Sequence, residues 1–382
     1  MHNEVRFHYI DNLRSFALLL GVVFHAALAY GPFFSNIWLT ADPSNHVLFD
    51  YMAIWSHLFR MPLFFVIAGF CAALLIAKRT RSEFIKNRLK RILLPFLVAW
   101  PITLALLFHA MYWGTQIADP APAIFSVIEN VENPSISTVH LWFLWNLMQF
   151  CIFLWLLSFS ARYYENVLSF VVRPVFLCVI TPFLVSISMI YQVVPFPAPD
   201  KFYPQLWSWG FYGVLFLIGA GVYKHHNRVS QYFGFLMPLL AIACFSTAGY
   251  FYYLPAPISL EEISHAANTG LLIAEKIDPL ATSLQTLAIL CWTAIFFLCG
   301  YKWLNYQNRV CQYISDASYW IYLIHIPILM YVQLPLINTA LSPFFKFIVS
   351  VSATMLIGLL SYHYGVRYTF IGKFLNGKKH IK

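Results

Sequence analysis

The sequence has little charge. Only 10% of its 382 residues are Asp, Glu, Lys or Arg, against about 25% in an ordinary soluble protein. A large water-soluble domain is therefore excluded. Its seven cysteines (Cys71, Cys151, Cys178, Cys244, Cys291, Cys299 and Cys311) fall inside apolar runs or at their edges, with no CxxC or CxxH pair. They support neither a disulfide framework nor a cysteine metal site. No GxSxG, Walker-type or GxGxxG signature sits on a strand-to-helix turn, HExxH and DxDG-type motifs are missing, and no metal is expected. What the chain has in quantity is apolar surface: 60% hydrophobic residues, including 36 Phe, 23 Tyr and 12 Trp. Such figures exclude disorder and collagen and imply a polytopic membrane protein.

A helix crosses a hydrocarbon core of about 30 Å with about 20 mostly apolar residues. Ten stretches qualify, at roughly 13–34, 53–77, 92–112, 141–161, 171–191, 206–223, 233–254, 279–300, 314–336 and 344–366. The first run is too long for a cleavable signal peptide and reads as a span. With no internal repeat and no linker, residues 1–382 are expected to form one transmembrane domain. The fold class expected is all-α, a bundle of about ten transmembrane helices.

Lysine and arginine collect on the cytoplasmic side of a membrane protein. Here Arg6 and Arg14 precede or open the first span, and Lys78, Arg79, Arg81, Lys86, Arg88, Lys90 and Arg91 follow the second. Later alternate loops carry Arg162 and Arg173, Lys224 and Arg228, and Lys302 and Arg309; the tail adds Arg367, Lys373, Lys378, Lys379 and Lys382. The opposite loops hold only Lys201 and Lys276 but most of the acids: Asp42, Asp50, Asp119, Glu129, Glu132, Asp200, Glu261, Glu262, Glu275 and Asp278. Both termini are thus expected in the cytoplasm, in agreement with an even span count. The net charge of +9 is then topological, and no nucleic acid is implied. On the outer side, Ile263, Ala267, Leu271 and Ala274 recur at helical spacing, which suits a short surface helix or a plain loop cap.

Ionisable groups at membrane depth are costly and therefore functional candidates. Arg14 and His25 are eleven positions apart, which places them on one helix face with His25 about 16 Å deeper. Asp11, one turn before Arg14, can orient its guanidinium. The guanidinium fork suits phosphate oxygens, and a histidine in a partly dry site suits proton abstraction from a hydroxyl. Taken singly, Arg14 as an interfacial anchor and His25 as a packed histidine are equally good readings; as a same-face pair they favour function. His57 and Arg60 lie one turn apart on the outer half of the second span, just before Pro62, which loosens the helix. Arg60 suits a carboxylate or a developing oxyanion, with a structural ion pair as the alternative. His325 lies near the depth of His25, and His140 sits at the outer mouth of the fourth span. Topology and anionic lipid account for most of the 78–91 charges, while a few, with Arg88 and Arg91 foremost, suit nucleotide phosphates.

These residues resemble the membrane acyltransferase-3 family, and within it the glucan-modifying branch. The resemblance rests on Asp11-Asn12-Leu13-Arg14 with His25, on His57-Leu58-Phe59-Arg60-Met61-Pro62, and on Phe64-Phe65-Val66-Ile67-Ala68-Gly69-Phe70. It continues in His140-Leu141-Trp142-Phe143-Leu144 and in Ser318-Tyr319-Trp320-Ile321-Tyr322-Leu323-Ile324-His325. One departure is Ala68, where the family often carries serine. The resemblance implies transfer of an acyl group from cytoplasmic acyl-coenzyme A to a carbohydrate hydroxyl at the outer face of a bacterial inner membrane. In that branch succinyl is the expected group, with acetyl-coenzyme A equally compatible with the motifs, and an osmoregulated periplasmic glucan is the expected acceptor. Glucan-synthesis membrane proteins are possible partners. The expected roles are catalytic for His25, Arg60 and Asp11, donor-binding for Arg14, Arg88 and Arg91, and acceptor-side for His57, His140 and His325. The competing class is a proton- or substrate-coupled transporter or exporter.

Overall fold

The computed structural model describes residues 7–131, 136–269 and 277–376. Arg6, Glu132, Leu271, Ala274, Glu275, Lys276, Lys378, Lys379 and Lys382 lie outside them. The described residues contain helices and no strand. Ten helices follow the apolar stretches in order: α1 (His8–Leu28), α2 (Val47–Lys78), α3 (Arg81–Ile117), α4 (Val139–Leu157), α5 (Phe176–Met189), α6 (Leu206–Lys224), α7 (His226–Tyr252), α8 (Pro279–Trp303), α9 (Arg309–Ile337) and α10 (Pro343–Val366). Among the described residues, nine are long and apolar enough to cross a membrane; α5 is shorter. Residues after α5 leave the helix and carry Phe196 into the core, where it is buried.

Helix ends follow local chemistry. α1 stops at Leu28, before Gly31-Pro32, earlier than the apolar run suggests. α2 begins early, at Val47, because the His46 side chain accepts a hydrogen bond from the Leu48 N–H. Asp278, Asn308 and Ser342 cap α8, α9 and α10 in the same way. In α3, the turn Leu89–Leu93 widens to a π-helix at the basic stretch, a distortion that re-aims side chains and recurs at functional sites.

α2 is the central helix and packs against α1, α4, α6 and α8. Its contact with α6 is close enough to need reciprocal glycines. A Cβ on Gly69 would strike the Phe216 carbonyl, and one on Gly219 the Val66 carbonyl, as small-residue interfaces in membranes require. α9 packs against α1, α3 and α10. Most of α7 and α10 remains uncovered by protein, as lipid-facing helices should be.

Between α1 and α2 the chain folds back over the end of α1. The N–H groups of Asp42 and His46 donate to the carbonyls of Ala29 and Tyr30, at 2.8 and 2.9 Å. Lys346 of α10 donates to Asp42 at 2.7 Å, with both side chains almost wholly enclosed. Gln333 of α9 donates to the Ala26 carbonyl at 3.1 Å and accepts from Thr40 at 2.7 Å. The strap is therefore pinned to α1, α9 and α10. Farther out, the helix Leu260–Thr269 packs Leu260, Ile263 and Ala267 against the cluster containing Phe125, so the described part of the expected outer helix is present.

Candidate active site

A cavity of about 510 Å³ opens at one end of the bundle, lined by both Phe7 and Leu375 from opposite ends of the described chain. Arg14, Lys78, Arg88 and Arg91 all line it, together with Asp11 and Asp316. Four cations against two carboxylates leave a local excess of positive charge suited to phosphate groups. Arg14 donates to Ser315 at 3.2 Å and lies 3.7 Å from Asp11, one helical turn before it. The π-turn brings Arg88 and Arg91 to the same wall, and Tyr319 donates to the Arg91 carbonyl at 2.9 Å. Ala68 lines the cavity too, which places the departure from the family pattern at this site.

The inner end of the cavity is reached at Phe64, Phe143, Leu144 and Tyr322. Behind Tyr322 lies a group of histidines. His325 Nδ1 is 2.7 Å from the Tyr322 carbonyl, and its Nε2 is 3.0 Å from His25 Nδ1. His140 meets His325 edge to face at 5.1 Å, and Tyr322 donates to the His140 carbonyl at 2.9 Å. Trp38, from the strap, stacks on the other side of His25 at 5.6 Å. His325 is 1% exposed and both its nitrogens are engaged. Its nitrogens face the Tyr322 carbonyl on one side and His25 on the other.

Arg60 is 6% exposed. Among the described residues its Nε has no hydrogen-bond partner and no carboxylate pairs with it. Its guanidinium rests 4.1 Å over the Phe24 ring, next in sequence to His25. The absence of a side chain at Gly21 leaves the room its NH1 occupies, since a Cβ there would lie 3.0 Å away. His57 stacks between Phe24 and Phe196, and its Nε2 donates to the Phe196 carbonyl at 2.9 Å. His140 Nε2 donates to the Leu323 carbonyl at 3.3 Å. A carbonyl can only accept, so His57 and His140 present bare Nδ1 atoms, and neither has a partner. An unpaired guanidinium and two bare imidazole nitrogens are costly to bury and chemically available.

Two decisive neighbours carried no signal in the sequence. Trp38 reads as one of many interfacial aromatics, and Phe196 falls between helices. Tyr322 belongs to a quoted motif, but nothing there reveals that it separates the cavity from the histidines.

The chain matches the Acyl_transf_3 model, an acyltransferase domain, over residues 7–363. It belongs to this acyltransferase-3 family. Curated relatives include the glucans biosynthesis protein C of Escherichia coli K12, 23% identical over 390 residues covering 99% of this chain and 96% of the relative. The protein of that name from E. coli SMS-3-5 is 24% identical over 390 residues, with the same coverage. No solved structure matches the chain. The protein is thus a membrane acyltransferase, and the exporter reading gives way.

Proposed function

We propose that this acyltransferase moves an acyl group, with succinyl favoured over acetyl, from acyl-coenzyme A to a carbohydrate hydroxyl. The carrying observation is the cationic cavity that ends at Tyr322, whose carbonyl meets His325 of the His325–His25 pair. Its cations suit the coenzyme A phosphates, held by Arg14, Arg88 and Arg91. Its apolar inner end, at Phe64, Phe143 and Leu144, suits the thioester arm. The excess of basic residues at this end supports placing it, with both termini, in the cytoplasm. The acceptor then approaches from the opposite side, and the glucan named in the relatives makes a periplasmic glucan the first candidate. A bacterial inner membrane is the location that suits this arrangement.

His25 takes the proton of the acceptor hydroxyl as that oxygen attacks the thioester carbonyl. Arg60, buried with no carboxylate partner among the described residues, stabilises the oxyanion of the tetrahedral intermediate or holds the acyl carboxylate. The carbon–sulfur bond breaks, and the departing thiolate recovers the proton from His25. A covalent route, in which His25 first carries the acyl group, uses the same ring nitrogen. His57 and His140 present bare nitrogens to the acceptor hydroxyls. Asp11 keeps Arg14 in place.

The experiment follows free thiol released by purified protein in nanodiscs. Succinyl- and acetyl-coenzyme A are supplied separately, each with and without a β-glucan. Acceptor-dependent release from succinyl-coenzyme A is expected. Protein shown to be folded that releases thiol from neither donor would overturn the choice of donor.

A further inference from the structure

His25 is built into a hydrogen-bond chain that fixes where its proton sits. His325 Nδ1 lies 2.7 Å from the Tyr322 carbonyl oxygen, which accepts and never donates, so Nδ1 of His325 carries a proton. The facing nitrogens, His325 Nε2 and His25 Nδ1, are 3.0 Å apart and share one proton between them. Placing it on His325 would make that ring an imidazolium. His325 is 1% exposed, and no carboxylate pairs with it among the described residues. The proton therefore belongs to His25 Nδ1, which donates to the bare Nε2 of His325.

Resting on the function proposed above, we propose that His325 is the positioning residue that holds His25 in its Nδ1-protonated tautomer. Nε2 of His25 is thereby the lone-pair nitrogen that meets the acceptor hydroxyl. The rest of the surroundings fit this role. Trp38 stacks on the His25 ring at an interplanar angle of 14° and restricts its rotation. His25 itself stays partly exposed. Tyr322 lines the cavity and also supplies the carbonyl that sets the His325 tautomer. One residue thus carries the wall of the donor cavity and the anchor of the relay. A carboxylate plays the orienting part in serine hydrolases; here a neutral imidazole braced by a backbone carbonyl does so without burying another charge.

Two substitutions separate orientation from packing. His325→Gln keeps an oxygen that can accept from His25 Nδ1, whereas His325→Leu fills the space and offers no acceptor. Turnover should fall by less than about tenfold in the glutamine variant and by at least about a hundredfold in the leucine variant, by analogy with the loss from a wrong histidine tautomer. KM for donor and acceptor should stay unchanged in both. A His325 that only packs would give equal turnover in the two variants, or better turnover with leucine, and that result would overturn the proposal. Nitrogen-15 spectra of histidine-labelled wild-type protein, recorded without donor or acceptor, read the tautomer directly. His25 should show a protonated Nδ1 and a bare Nε2. A proton on Nε2 instead would refute the proposal whichever acyl donor the enzyme uses, and also if the leucine variant fails to fold.

Discussion

Replacing Lys346 with methionine tests how the strap over His25 is held. The Lys346 side chain is fully enclosed, that of Asp42 is 2% exposed, and they meet at 2.7 Å. Methionine keeps most of the stem's volume and removes the charge. Asp42 would then be left with the Ser44 N–H, at 2.8 Å, as its remaining hydrogen-bond donor. Breaking a buried ion pair from one side costs about 3–5 kcal/mol. At about 1.4 kcal/mol per decade, the folded-to-unfolded ratio drops roughly 150- to 5,000-fold. Asp42→Asn combined with Lys346→Met removes both charges, keeps the Ser44 contact, and should return to within about 1–2 kcal/mol of wild type. The double-mutant cycle should therefore show a coupling of at least about 2 kcal/mol. Tryptophan fluorescence during thermal and denaturant unfolding in detergent supplies the measurement for all four proteins. A Lys346→Met protein as stable as wild type, or a double variant no better than the singles, would refute the reasoning.

The other perturbations separate charge that stabilises from charge that acts. Arg60→Met removes a buried ion with no carboxylate partner among the described residues, whose enclosure costs several kcal/mol, and forfeits a cation–π contact with Phe24 of about 0.5–2 kcal/mol. Its melting temperature should equal or exceed that of wild type while turnover falls at least about a hundredfold; a large loss of stability would mean that Arg60 is structural. Arg14→Gln and Arg88→Gln each remove one charge-assisted contact worth about 1.5–3 kcal/mol. KM for the acyl donor should rise roughly ten- to a hundredfold with turnover little changed, and an unchanged KM in both would exclude the cavity as the donor site.

Much of the architecture was legible because lipid imposes it. Span positions follow from apolar length, and the face shared by Arg14 and His25 follows from helical period. Both residues do meet α9, Arg14 through Ser315 and His25 through His325. Sequence could place His25 and His325 at similar depth but not against each other, because the pairing joins residues 300 positions apart and depends on how α1 and α9 pack. The Asp42–Lys346 pair was hidden for a related reason. One partner reads as an outer-loop acid and the other as a span-edge lysine, and only the folded-back strap brings them together. The role of Phe196 was invisible because it lies between helices, and only the fold brings its ring and its backbone carbonyl against His57. α5 reads as a full span over 171–191 from composition, yet its helix begins only at Phe176, and the chain after Met189 carries Phe196 into the core.

The most direct test of the account is single-turnover acyl transfer by His25→Ala protein in nanodiscs, with donor binding measured in parallel. General acid–base catalysis contributes about 10²–10⁴-fold. Transfer should fall by at least the lower figure while the protein stays folded and binds the acyl-coenzyme A donor as wild type does. Transfer at the wild-type rate would contradict the central claim that His25 performs the chemistry.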